Sequence, residues 1–354
     1  MEEAGVAAIE KIMITALVCL MAFPLGHVSA EDYLQFSTYY YDIRPDLAIT
    51  KPTFTISKDI SMNTNAMLRV TVDDVKVDGI SGATKSSGSS SGASSDRRKE
   101  FAAGISHIIG DWKLEGGYVI STEDDYRSTT PSISVSKDFF NRNTAITAGY
   151  SHNSDDDLHA PSGSGKRDVN NFAVSLTQVL SRWTVMQAGY TFSDMDGYLA
   201  SGHRRVLLEN GAEVPEYVPG QRKREAFGLR IAQWLPTNGA IHLSCRYYRD
   251  DWKIDSHTCQ ILVYQYLLKS LLLRGEYRYY TQDGAYFYKD SYTGTERYLT
   301  SSTSLGPMTA NLYGLKAVYS FDMLNLDIEA KYEKYRQSTG LDGDIIMAGL
   351  RYSF

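Results

Sequence analysis

The residues from Asp344 to Phe354 alternate strictly between two kinds of side chain and end on an aromatic residue. Apolar side chains occupy one parity: Ile346, Ala348, Leu350, Tyr352 and Phe354. Mostly small or polar ones occupy the other: Met347, Gly349, Arg351 and Ser353. Because successive side chains of a strand point to opposite faces, this stretch predicts a strand with one apolar face. A strand of this kind that ends on Phe is typical of the closing strand of a bacterial outer-membrane barrel, so earlier segments should alternate too.

The first thirty residues have the features of a secretory signal. Residues 12–24 are almost wholly apolar, follow Lys11 and lead to a small-x-small cleavage site that ends at Ala30. This apolar run is too short to span a bilayer as a helix. We therefore expect a signal peptide over 1–30 and a single barrel domain over 31–354. Cys19 raises the alternative of a lipid-anchored start, but no small residue directly precedes it.

The charge balance and hydropathy fit a barrel and exclude a nucleic-acid binder. The chain has 36 basic and 42 acidic residues and a net charge of −6. Nucleic-acid binders carry the opposite balance. After the signal segment no apolar run is long enough for a membrane helix. A transmembrane β-barrel hides its membrane segments in this way, because only every second residue faces lipid.

Sixteen alternating segments predict an all-β, antiparallel transmembrane barrel of about sixteen strands. The first, second, sixth and twelfth segments alternate less clearly, so fourteen or eighteen strands remain alternatives. The segments lie near 32–42, 48–58, 65–77, 98–109, 112–122, 130–139, 144–153, 169–180, 183–193, 222–235, 239–249, 253–267, 271–281, 309–320, 324–336 and 344–354.

The breaks between these segments are alternately short and long. This parity predicts short periplasmic turns, long extracellular loops and two periplasmic termini. A soluble β-sandwich or β-helix also alternates, but it needs neither the loop parity nor a secretory signal. We therefore favour a location in the bacterial outer membrane. There Leu350, Tyr352 and Phe354 would serve membrane insertion and closure against the first strand.

Several stretches resemble the signatures of an uncharacterised bacterial family that is expected to form outer-membrane barrels. They are residues 78–84, 97–100, 121–128, 246–252 with 256–258, and 277–283. The resemblance covers most of the chain after the signal segment and implies a porin-like barrel. It implies no specific activity, because the family is a domain of unknown function. Lys253 departs from the pattern, in which we expect a small residue such as Gly.

Charged residues are concentrated on the predicted inner face of the last seven strands. On predicted strands ten to fourteen, cations form a basic wall that contains one acid. The last two strands add two acids and two further cations. In a wet pore, excess Arg favours anions. The alternative is that the charges pair and brace the interior. The predicted pore-lining residues are Arg224, Arg230, Arg246, Arg274, Glu276, Arg278, Lys316, Asp327, Glu329, Lys331 and Arg351.

Two long loops, 194–221 and 282–308, leave the state of the lumen open. A sixteen-stranded barrel is wide enough for an aqueous channel unless loops fill it. These loops could fold inward as constrictions or project outward to bind another molecule. Acidic clusters at 123–125 and 155–157, the latter flanked by His152 and His159, match no calcium loop. We expect no metal site and no cofactor.

Cys245 and Cys259 lie symmetrically about Trp252, on the parity predicted to face lipid. Export to an oxidising compartment permits a disulfide between them. Directly opposed cross-strand cysteines are often too strained to bond, so free thiols are the stronger expectation.

We expect no enzymatic activity. No nucleophile elbow, phosphate loop or haem-attachment motif is present in the sequence. The adjacent Asp255, Ser256 and His257 suggest a hydrolase site, but neighbouring strand residues point to opposite faces.

The sequence thus predicts porin-like passage of small polar or anionic solutes. The alternative function is a structural barrel that acts as a sleeve or scaffold for a periplasmic redox partner or a surface partner. The expected partners are outer-membrane lipid and lipopolysaccharide, the barrel-assembly machinery during insertion, and further copies of the chain. No nucleic acid is expected.

Overall fold

The structure, a computed structural model, describes residues 32–44, 47–77, 94–157, 165–201 and 204–354. The predicted signal peptide therefore lies outside the described residues, as does His159.

Sixteen antiparallel strands form one closed barrel, and a short hairpin, β10–β11, lies apart from it. Each of the sixteen predicted strands corresponds to one barrel strand, so the predicted fold is confirmed. The strands are β1 (Tyr33–Arg44), β2 (Leu47–Ser61), β3 (Thr64–Val77), β4 (Ser94–Ile109), β5 (Trp112–Thr122), β6 (Tyr126–Phe139), β7 (Thr144–Asp157), β8 (Lys166–Ser181), β9 (Thr184–Gly197), β10 (Arg205–Leu207), β11 (Glu213–Pro215), β12 (Gln221–Leu235), β13 (Gly239–Asp250), β14 (Asp255–Leu268), β15 (Leu271–Gln282), β16 (Met308–Phe321), β17 (Leu326–Gln337) and β18 (Asp342–Ser353). Two short 3₁₀ turns cover Thr303–Leu305 and Asp322–Leu324.

The barrel closes where β18 pairs with β1. Phe36 lies opposite Leu350, and Leu34 lies opposite Tyr352. The backbone amide of Phe354 donates to the carbonyl of Asp32 over 3.1 Å, which continues the ladder past the last strand residue. Pairing of the first and last strands leaves the barrel without an edge.

Apolar side chains face outward around the barrel and polar ones face inward. Leu68, Phe101 and Leu315 illustrate the outer face, where they are 46%, 43% and 57% exposed. A soluble sandwich or β-helix would bury such residues, whereas a membrane barrel presents them to lipid. The soluble alternatives are therefore rejected. Among the described residues, no helix is long and apolar enough to cross a membrane.

Short turns lie at one end of the barrel, and the long loops lie at the other. Asn238 and Asn325, in two of the short turns, have φ of 59° and 49°. Asn tolerates this left-handed region better than most residues. At the other end, Lys253 has φ of 65°. This explains why the position suits a small residue such as Gly, which reaches that region without strain.

Cys245 and Cys259 are direct partners in the register of β13 and β14, as their symmetric spacing predicts. The expectation of free thiols differs from the structure, in which the two residues form a disulfide. Their Cα atoms are 4.2 Å apart, because directly opposed positions in an antiparallel ladder bring backbones close.

Candidate functional site

The eleven predicted pore-lining residues all occupy inward-facing positions of the strands. On β17, for example, Asp327, Glu329 and Lys331 alternate with outward-facing Ile328, which is 42% exposed. On β12, Arg224 and Arg230 alternate with outward-facing Phe227 and Leu229. The strand period of two therefore places the whole set on the lumenal side of the wall.

Part of this set forms ion pairs on the lower wall, toward the short turns. Arg274 and Glu276 on β15 are 3.2 Å apart. Lys316 on β16 pairs with Glu329 on β17. Lys331 is 2.9 Å from Glu333, an acid that sequence reasoning missed although it continues the same parity. Of these pairs, Lys316–Glu329 joins two neighbouring strands, whereas the other two link residues of one strand.

Other predicted residues have no ion pair. Among the described residues, no carboxylate lies within 4.0 Å of Arg224, Arg246 or Arg278. Arg230 contacts His242 Nδ1 over 2.8 Å. Arg351 lies opposite Asp327 in the register, but its guanidinium lies 4.0 Å from the ring centre of Tyr33 instead.

A second Arg on β12, Arg222, takes up the nearest acid. Arg222 Nε donates to Asp250 Oδ2 over 2.8 Å, and the Tyr248 hydroxyl donates to the same oxygen over 2.7 Å. The amide of Ile254 donates to Asp250 Oδ1 over 2.9 Å. Asp250 is thus fully engaged by neighbours. Sequence reasoning missed Arg222 and Asp250, although both share the inward parity of their strands.

The wall formed by β6, β7 and β8 is polar but mostly uncharged, which sequence reasoning also missed. Ser and Thr at every second position of β6 are the signal that could have revealed it. Asn153 donates to Ser128 over 2.9 Å and to Thr130 over 2.8 Å. Asn171 donates to Ser151 over 3.3 Å. The lumen therefore has a neutral hydroxyl and amide wall on β6–β8 and a charged side on β12–β18. A further, paired group of inward charges lies on β3 and β4 and consists of Arg69, Asp73, Arg98 and Glu100.

The two long loops pack against each other at the mouth of the barrel. Tyr217 of the first loop and Leu299 of the second form a two-way backbone bridge of 3.0 and 2.8 Å. Glu216 is buried and accepts two hydrogen bonds, one from the amide of Ser201 over 2.8 Å and one from the hydroxyl of Thr300 in the second loop. Together these contacts make one folded unit, here called the loop cap, from residues 198–201, 204–220 and 283–307.

An apolar cluster joins the loop cap to the barrel rim. Val218, Ala285 and Phe287 of the cap pack with Trp252 and Ile254 from the turn after β13. The indole nitrogen of Trp252 donates to the carbonyl of Gln221 over 2.9 Å. The sequence left open whether these loops fold inward or project outward. The structure shows them anchored on the β12–β14 side of the rim.

The residues considered for a metal site or a hydrolase site make contacts that belong to neither kind of site. Asp155 faces inward and accepts from Arg167 Nε over 2.8 Å. No group of three or more metal-ligating side chains occurs in the described part of the chain. Ser256 is buried on the inward face, whereas the next residue, His257, packs on outward-facing Tyr247 with ring centres 5.1 Å apart. Ser256 and His257 therefore do not meet.

Two solved outer-membrane proteins share the fold of this chain at low sequence identity. A structure described as a bacterial polysaccharide outer membrane secretin gives a TM-score of 0.54 at 10% identity and covers 93% of this chain and 100% of its own. A BenF-like porin from Pseudomonas fluorescens Pf-5 gives a TM-score of 0.51 at 9% identity, with coverage of 93% and 100%. Such identities show the fold alone. No curated protein matches the chain in sequence.

The sequence family described as "Protein of unknown function (DUF3570)" matches residues 85–162 and 156–350. These ranges extend over more than half of the chain. They contain all the stretches that carried the family resemblance except 78–84. The resemblance is thereby confirmed: the chain belongs to this family of unknown function, and its fold is that of a porin-like outer-membrane barrel.

Proposed function

We propose that the protein is an outer-membrane channel that passes small polar solutes and prefers anions. The observation that carries this proposal is the imbalance of unpaired charge on the inner wall. Arg224, Arg246 and Arg278 have no carboxylate within 4.0 Å among the described residues. Excess fixed positive charge in a water-filled lumen raises the local concentration of anions.

The pairing of the inward acids supports the same preference. Glu276, Glu329 and Glu333 each lie beside a cation, and Asp250 is engaged by Arg222. Asp327 has no ion pair among the described residues of its wall, but one acid does not offset three unpaired guanidinium groups. The net field of the charged side is therefore positive.

Planar-bilayer recording of the folded protein tests the proposal. We expect discrete conductance steps and, in a potassium chloride gradient, a reversal potential that reports higher permeability for chloride than for potassium. The triple variant Arg224→Gln, Arg246→Gln, Arg278→Gln should lower that ratio. As a matched control, Arg249→Gln and Arg336→Gln remove two outward-facing guanidinium groups and should leave it unchanged. Folded protein without conductance steps, or with a preference for potassium, would falsify the proposal.

A second candidate function is a sleeve for a periplasmic partner, and an aromatic pocket favours it. Trp183 and Trp234 stack at 4.4 Å near the short turns. With Tyr264 and Leu272, Trp234 lines a cavity of about 790 Å³ at that mouth. Exposed aromatic surface in a polar lumen is a feature of contact sites. Gentle purification from native membranes separates the two functions. A stoichiometric second protein supports the sleeve, and copies of this chain alone oppose it.

A further inference from the structure

A cavity of about 360 Å³ lies beneath the loop cap, on the charged side of the lumen. This volume is at the lower end of the range for small-molecule sites. We call this cavity the basic chamber. Its lining includes Arg222, Arg224, Arg246, Tyr248, Tyr280 and Gln282.

Two of the three guanidinium groups in the basic chamber carry uncompensated charge. Asp250 is the inward acid beside them, and its side chain is 0% exposed. Glu225 also lines the cavity, but its carboxylate pairs with outward-facing Arg249 over 2.9 Å. Arg222, Tyr248 and the amide of Ile254 use both of its oxygens. Arg222 is further held over the Trp252 ring at 4.2 Å. The charge of Asp250 therefore neutralises Arg222, and among the described residues no acid lies within 4.0 Å of Arg224 or Arg246.

Arg224 also has an unused donor. Its Nε is buried and has no hydrogen-bond partner among the described residues. A buried donor without an acceptor costs about 1–3 kcal/mol, more when the group is charged. An oxyanion in the chamber would supply both the acceptor and the opposite charge, because a guanidinium group binds carboxylate or phosphate oxygens through paired donors.

The roof of the basic chamber is held in place by the barrel wall. Ser304 and Leu305 of the loop cap line the chamber. Gln282 Nε2 donates to the carbonyls of Ser304, over 2.9 Å, and Gly306, over 2.6 Å. Leu305 packs against the apolar cluster of Trp252 and its neighbours. A site fixed in this way loses little conformational freedom when it binds a ligand.

From these observations we propose that the basic chamber binds one small organic dianion, whose anionic oxygens bond to both Arg224 and Arg246. The uncharged polar groups of Thr191, Ser193, Ser256 and Tyr280 also line the chamber and can hydrogen-bond the rest of the ligand. Carboxylate and phosphate share the chemistry that the two arginines recognise. This inference deepens the proposed function and rests on it for the route by which the anion enters.

Calorimetric titration of the full-length barrel folded in detergent tests this proposal. The probes are succinate, glycerol 3-phosphate and, as the monoanion, butyrate. We expect saturable binding of one succinate or one glycerol 3-phosphate per barrel, at least tenfold tighter than butyrate. Whichever dianion binds more tightly identifies a carboxylate or a phosphate as the preferred group. No saturable binding of either dianion, or equal binding of butyrate, overturns the proposal.

Substitutions inside and outside the chamber assign the binding to it. Arg224→Gln and Arg246→Gln should each weaken dianion binding at least tenfold. Arg249→Gln removes an outward-facing guanidinium group from the same strand as Arg246 and should bind as the unmodified protein does. If either chamber variant fails to show the heat-modifiable gel mobility of a folded barrel, Ser256→Leu fills the chamber without removing a charge and should abolish binding. Unchanged binding in the folded chamber variants overturns the assignment.

Conductance of the same preparations separates this proposal from the proposed function. Chloride-selective steps without dianion binding sink the chamber site and leave the channel standing. Dianion binding without any conductance supports the site and sinks the channel.

Discussion

Arg222 on β12 and Asp250 on β13 form an ion pair whose side chains are only 11% and 0% exposed. The pair joins neighbouring strands at the loop end of the barrel, directly beside the loop cap. Because Asp250 is engaged by Arg222, the other arginines of the basic chamber keep their charge uncompensated.

Removal of the acid from this pair should destabilise the barrel. Asp250→Ala leaves the largely buried Arg222 guanidinium without a counter-charge, which typically costs about 3–5 kcal/mol. Urea unfolding in lipid vesicles measures the loss. In the matched control, Glu225→Ala breaks an outward pair with Arg249 and should cost much less, because that pair is exposed. Equal losses in the two variants would contradict the central role of Asp250.

Release of a lower-wall cation should strengthen the anion preference. Glu329→Gln leaves Lys316 unpaired and keeps an oxygen that accepts from Gln35, which lies 3.1 Å from Glu329. One unit charge about 10 Å from an ion in water contributes about 0.4 kcal/mol, in favour of chloride and against potassium. The chloride-to-potassium permeability ratio should therefore rise about fourfold. Reversal potentials measure this ratio. Glu225→Gln, on the outer face, should not change it, and a fall in Glu329→Gln would refute the idea.

A substitution at the turn after β13 should stabilise the protein. Lys253 has φ of 65°, and this conformation costs an L residue about 1–2 kcal/mol. Gly removes that cost but loses about 0.5–1 kcal/mol through its more flexible unfolded state, so Lys253→Gly should gain about 0.5–1 kcal/mol. Lys253→Val should instead lose stability, because a β-branched residue fits this region poorly. Urea unfolding compares the variants. A loss in the Gly variant would be the contrary result.

The middle of the second long loop, around residues 289–296, should become less ordered in acid. Lys289 Nζ lies 3.0 Å from a carboxylate oxygen of Glu296, and the amide of Gly294 donates to the other oxygen over 3.0 Å. These contacts lower the pKa of Glu296 to about 2, from 4.5. A lowered pKa stabilises the folded loop above pH 4.5, and that contribution is lost as the pH falls toward 2.

Hydrogen exchange of the amides of residues 293–296, corrected for intrinsic rates, measures this loosening. Protection should fall between pH 4.5 and pH 2 in the unmodified protein. Glu296→Gln cannot titrate, so its protection should stay level over the same range. A parallel fall in both proteins would show that another group controls the loop.

The alternation of side chains along the chain specifies most of the fold. Strand number, inward and outward faces and the separation of short turns from long loops all follow from it, because side-chain direction in a strand is a local property with a period of two. The same rule places all the predicted pore-lining residues, from Arg224 to Arg351, on inward positions. It also carries the information needed to find Arg222 and Glu333, which share those parities.

Which charges cancel depends on contacts between strands. Arg222 and Arg224 have the same parity on the same strand, and Arg224 is the direct register partner of Asp250. The ion pair is nevertheless made by Arg222, so side-chain conformation decides which guanidinium group the acid engages. The bond between Cys245 and Cys259 and the packing of the two loops likewise depend on which segments meet in space. Local alternation is therefore enough to specify a barrel with a charged lumen, whereas the side-chain contacts of the tertiary structure set where that charge stays unpaired.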